Sequence, residues 1–236
     1  MTTRSLDTLL DQLVTSCRIL GAEGQGDMVW GHVSVRDPEG RGLWMKGAGL
    51  GLEEVGRDDL VLIDRAGGVL AGDRPRHSEF PIHAEVMAAR PDAGCVVHTH
   101  ARAPVAFAAV EEPLRPVSHE GTFFVPPDVP RFTETSDLIL TPALGARVAA
   151  SLGDRPALLL VGHGLVAAGA DVVEATMAAV LLDRACRVQL DVLQTGRPYR
   201  WTPDEEARVK RTHVYPRRLL EQGYAYLARR AGGSPT

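Results

Sequence analysis

Along the first twenty residues, Leu6, Leu9, Leu10, Leu13, Val14 and Cys17 recur at intervals of three and four. That spacing predicts an amphipathic helix. It should close near Gly21, since glycine accommodates the turn that ends many helices. The period then changes. HVSVRD (32–37) alternates like a strand, DPEGRG turns the chain, and LWMKGAG (43–49) returns as the second strand of a hairpin. DDLVLIDRAGGVLAG (58–72) reads as a strand, a Gly-Gly turn and a short return strand.

Further on, helices alternate with strands. SEFPIHAEVMAARP (78–91) predicts a helix stopped by Pro91, AGCVVHTH (93–100) a short buried strand, and ARAPVAFAAV (101–110) a second helix. Residues 111–135, with their prolines and phenylalanines, read as a long loop that crosses the site or a neighbouring subunit. TPALGARVAASLG (141–153) predicts a helix with Thr141 as N-cap and Pro142 at its first position. PALLLVGHGLVAAG (156–169) predicts two strands joined by a Gly-His-Gly turn, and residues 171–193 the longest helix. A charged amphipathic helix or pair, interrupted at Pro216, occupies 203–230. The expectation is one α/β domain over 1–236, a mostly antiparallel sheet with helices on its faces and a helical extension over about 200–236.

Composition narrows the function mainly by exclusion. The net charge of −4 and the lack of a basic run argue against a nucleic-acid or anionic-membrane partner. No apolar run approaches the ~20 residues that span a bilayer, and the N-terminus carries Asp7 and Asp11 inside its apolar pattern, unlike a secretory signal. Cys17, Cys95 and Cys186 are odd in number and far apart, which fits a reducing cytoplasm.

The chemistry gathers at strand ends. Residues two apart on a strand point the same way, so His98 and His100 bring two imidazoles to one side. His163 follows another apolar strand, flanked by Gly162 and Gly164. Three such imidazoles suit a divalent ion with one position left open. Hydrogen-bonded core histidines are the alternative reading. Glu79 opens the helix that carries His83 four residues on. It reads either as a helix-terminal carboxylate or as a general acid/base whose pKa is raised by a partly apolar pocket.

In this order, GHVSVRD, MKGAG, SEFPIHAEVMAARPDAGCVVHTH and LLLVGHGLVAAG resemble the class II aldolase/adducin family over roughly residues 6–200. The resemblance implies a three-layer αβα sandwich and a homotetramer with active sites at subunit interfaces. It implies one divalent metal ion per subunit, zinc or else manganese or another ion, held by His98, His100 and His163, with Glu79 as the general acid/base. Non-catalytic adducin-type members lack the metal histidines, so their presence here argues against a bare interaction module.

Where family aldolases hold a sugar phosphate, this chain has Gly31-His32, Gly47-Ala48 and His77-Ser78, with Ser34 and Lys46 nearby. Imidazolium and Lys46 are the cations available for an anion there, and Trp44 and Met45 offer either a flat apolar surface or hairpin packing. Where the aldolases bring a tyrosine from a neighbouring subunit, RPVSHEGTFF supplies His119 and Glu120, and His213 is a further candidate for closing the site. These departures favour decarboxylation of a hydroxylated aromatic ring carboxylate, of the dihydroxyphthalate type, over retro-aldol cleavage of a small hydroxy-carbonyl compound or sugar phosphate.

Overall fold

A computed structural model describes residues 5–232; the extreme ends of the 1–236 span, including residues 233–236 of the C-terminal extension, lie outside the described residues. Helix α1 (Leu6–Leu20) begins at Ser5, whose hydroxyl caps Thr8 N. It does not stop at Gly21. That residue stays right-handed, and the chain continues through a widened helical turn, Gly21–Gln25, in which Gly24 takes the positive φ of 76°. Gln25 pins this turn: its side-chain amide donates to Ala179 O and its side-chain oxygen accepts from Thr99 Oγ1.

Eight strands form one sheet: β1 (His32–Arg36), β2 (Leu43–Lys46), β3 (Leu60–Ile63), β4 (Val69–Ala71), β5 (Cys95–Thr99), β6 (Arg131–Phe132), β7 (Ala157–Leu160) and β8 (Gly164–Gly169). Their order is β4-β3-β2-β1-β5-β8-β7-β6, antiparallel throughout except for the parallel β6–β7 pair. The expected loop at 111–135 is therefore not wholly irregular. It contains the short helix α4 (Gly121–Phe124) and an edge strand of two residues.

Two apolar layers sandwich the sheet, each fed by alternate strand residues. Val33, Val35, Cys95 and Val97 face the core built with α1, α3 (Arg102–Ala108), α6 (Val172–Gln194) and α8 (Arg217–Arg230). Val96 and Val166 face α2 (Phe80–Ala89) and α5 (Pro142–Leu152). The same alternation turns His32, Ser34 and His98 toward the α2 side. Thr141 caps α5 through Leu144 N as expected, and Pro216 separates α7 (Asp204–Val214) from α8. No helix among the described residues is long and apolar enough to cross a membrane. All three cysteines are buried and free.

Candidate metal centre and the histidine row beside it

His98 is the fourth residue of β5, His100 lies just beyond its end, and His163 sits in the tight β7–β8 turn, where Gly162 has φ 71°. Because β8 pairs with β5 through Thr99↔Leu165, that turn comes to rest beside the end of β5. Glu79 precedes α2 and does not cap it. Its Oε1 instead accepts from Ile139 N at 2.7 Å, and the carboxylate lies 3.7 Å from His98 Nε2 and 3.5 Å from His163 Nε2. One ligand atom from each of Glu79, His98, His100 and His163 lies within 4.8 Å of all the others.

The hydrogen bonds around this cluster fix what it offers. A carbonyl oxygen can only accept, so His98 Nδ1–H donates to Leu165 O at 2.8 Å. His100 Nδ1–H donates to the Asp27 carboxylate at 2.9 Å. Both Nε2 atoms are then bare acceptors, and they face each other 3.1 Å apart. Both ring nitrogens of His163 are buried without a hydrogen-bond partner, with Nε2 3.5 Å from Glu79 Oε1. Converging lone pairs, outer partners that set the tautomers and an orphaned third imidazole are what a divalent cation requires. These residues fit such an ion.

Glu79 departs from the expected raised pKa. Burial pushes it up, but the contact with His163, the neighbouring His98 and the Ile139 amide outweigh burial and hold it at about 2. Glu79 is a carboxylate at neutral pH, hence a base or ligand rather than a proton donor.

A second group of polar side chains adjoins the first on the same face. His32 is the cross-strand partner of His98, with ring centroids 5.0 Å apart. His32 Nδ1 meets His83 Nε2 at 2.6 Å, and His83 Nδ1 meets Ser34 Oγ at 2.6 Å. Ser34 is thus engaged behind His83 instead of opening onto a substrate. His32 Nε2 is buried without a partner.

Lys46 is fully buried, and Nζ donates toward Val29 O (3.1 Å), Gly47 O (3.4 Å) and His77 Nε2 (3.0 Å). Three acceptors match the three protons of an ammonium group, so Lys46 is not open to an anion. Burial, which disfavours the charged form, lowers its pKa to about 8. His77 falls to about 4 through burial and then the Lys46 charge; His32 falls well below the usual histidine value through burial and its neighbouring imidazoles. Both rings are neutral, not the imidazolium ions expected. Because His77 Nε2 accepts from Lys46, its proton sits on Nδ1.

The glycine loops give little more to an anion. Gly47 N–H donates to Asp59 O and Ala48 N–H to Pro75 O, while Gly31 is buried, and a Cβ there would come 3.2 Å from Leu52. Ser78 is exposed. Trp44 and Met45 pack instead of lining the site: Trp44 Nε1 donates to Asp37 in the hairpin, and Met45 is fully buried in the α2–α5 core.

His119 and Glu120 precede α4, which packs on α6 and α7. Phe123 of that helix lies with Asp154, Gly169 and Ala170, at the end of β8 opposite His163. Within one chain neither residue joins the cluster. His213 is exposed on α7, which also packs on α4. The sequence marks neither Asp27 nor the β1 partners of His83. The spacing of His83 from Glu79 was visible, but the strand face it meets was not. Asp27 sits in a glycine-rich loop with no periodic signal.

The Class II Aldolase and Adducin N-terminal domain model matches residues 11–190. The chain belongs to this family. It is 35% identical to 3,4-dihydroxyphthalate decarboxylase of Terrabacter sp. (strain DBF63), over 78% of this chain and 82% of that one. Similarity to 5-methylthioribulose-1-phosphate/5-deoxyribulose-1-phosphate aldolase of Rhodospirillum rubrum is 30% identity over 84% and 87% of the two chains. L-fuculose 1-phosphate aldolase from Glaciozyma antarctica PI12 shares the fold, with a TM-score of 0.85 over 98% of this chain and 92% of that one at 24% identity.

Proposed function

We propose that the protein is a divalent-metal-dependent carbon–carbon lyase that removes a carboxylate from a hydroxylated aromatic ring acid of the dihydroxyphthalate type. The observation that carries this reading is the state of the loops where family aldolases hold phosphate. Lys46 has its protons engaged, His32 and His77 are neutral, and the Gly47 and Ala48 amides are taken. A phosphate dianion finds no free cation in that row, whereas the uncharged face of an aromatic ring, whose carboxylates are held elsewhere, is matched by imidazole faces and one N–H. The 35% identity to a dihydroxyphthalate decarboxylase points the same way.

His98, His100 and His163 would hold the ion, with Glu79 as a fourth ligand or the base beside it. When bound, the ion supplies fixed positive charge that draws electron density toward the substrate's hydroxyl oxygens. In the reaction the bond from ring carbon to carboxylate breaks, carbon dioxide leaves, and the electron pair stays with the ring until that carbon takes a proton. Glu79 accepts a hydroxyl proton, and His77 Nδ1–H orients an oxygen. The proton returned to carbon comes from the His119–Glu120 segment of a neighbouring subunit. Zinc is the proposed ion, and a cytoplasmic homotetramer the proposed assembly.

Retro-aldol cleavage is the second reading, favoured by the 30% identity to a sugar-phosphate aldolase. Incubating the zinc- or manganese-loaded protein with dihydroxyphthalates and sugar phosphates, with products scored by mass, separates the two. Carbon dioxide and a dihydroxybenzoate are expected. Aldehyde release from a sugar phosphate, with the aromatic acids untouched, would overturn the first reading.

A further inference from the structure

Beside the metal centre the surface dips into a recess lined by Asp27, His100, Arg102, Val105, Ala106 and His163. It shares His100 and His163 with the cluster, so a ligand seated against those imidazoles extends into it. Arg102 is the first residue of α3 and is exposed. Its guanidinium makes no hydrogen bond or ion pair among the described residues. Asp27, the carboxylate in the same wall, is turned to His100 Nδ1 at 2.9 Å and forms no pair with Arg102. Val105 and Ala106 supply the apolar part of the same lining. The recess thus joins an unpaired planar cation to an apolar wall beside a cation-binding centre.

We propose that Arg102 determines specificity by binding the carboxylate that the substrate keeps. This rests on the dihydroxyphthalate-type reading, in which a diacid loses one carboxylate and retains the other. A guanidinium presents two parallel N–H donors that match a carboxylate's two oxygens. Arg102 touches no bond that changes, so it acts equally on substrate and product and governs binding instead of the chemical step. The retained group stays in the product, which allows a test without turnover.

Calorimetry on the full zinc-loaded chain compares 3,4-dihydroxybenzoate with catechol, which keeps the hydroxyls but lacks the carboxylate. Wild type should bind dihydroxybenzoate about tenfold or more tightly than catechol, the expected size of one charge-assisted contact. Arg102→Ala should reduce that preference to about twofold or less while leaving catechol affinity unchanged, and Arg102→Lys should restore part of it. A preference retained in Arg102→Ala, or an equal loss of both ligands, overturns the role of Arg102 and leaves the decarboxylase reading standing. Wild-type protein that binds neither ligand overturns the aromatic reading, and this inference with it.

Discussion

His32 and His98 stand opposite each other across the β1–β5 pair, with ring centroids 5.0 Å apart. That register places the two polar clusters side by side on one face of the sheet. His98 leads to the metal centre; His32 leads to His83, Ser34 and, through a ring contact, His77.

Removing an imidazole from the metal centre should abolish metal binding without unfolding the chain. His98→Ala and His163→Ala should weaken zinc binding by more than the ~100-fold upper range seen for outer partners. Metal content after gel filtration and far-ultraviolet circular dichroism check the two halves of this expectation. Full metal occupancy in either variant would disprove the ligand assignment.

Asp27→Asn probes the outer partner. The amide no longer supplies a charged acceptor for His100 Nδ1–H, so zinc affinity should fall by about 10–100-fold. Competition with a chromogenic chelator measures it. Unchanged affinity would mean that the 2.9 Å contact does not tune His100.

Glu79→Gln should retain metal and lose turnover by about 10²-fold or more, because the amide cannot accept a proton. Its carbonyl oxygen can still receive the Ile139 amide. Wild-type turnover in a metal-loaded Glu79→Gln protein would remove Glu79 from proton transfer.

His83 makes stability depend on pH. Burial lowers its pKa from 6.5 to about 3 in the folded chain. Below pH 6.5 the unfolded chain takes up a proton that the folded chain refuses until near pH 3. Stability contributed by the neutral ring is therefore whole above 6.5 and declines as pH falls from 6.5 toward 3. The slope is about 1.4 kcal/mol per pH unit for this one group. Urea unfolding of His83→Gln between pH 4 and 6, a window set by these two values, should show a slope smaller by one proton. An identical slope would show that His83 is already charged in the folded chain.

Much of the fold is legible in the chain because strand alternation is local. HVSVRD and CVVHTH sort their residues between the two faces unaided, so His32, Ser34 and His98 share the face opposite Val33, Val35, Cys95 and Val97. Thr141, Pro142 and Pro216 mark helix boundaries through their own backbone chemistry. Less legible was whatever depended on partners distant in sequence. Whether Glu79 is raised or lowered is decided by His163, by His98 and then by the Ile139 amide, sixty residues away. Lys46 reads as a free cation until Val29 O and His77 are seen around it. The two-residue β6 is visible only through its pairing with β7.

The sheet ends at β4, three residues long, and at β6, two residues long. Neither border offers a row of open amides long enough to template a strand from another molecule. Copies of this chain are thereby discouraged from zipping border to border into fibrils.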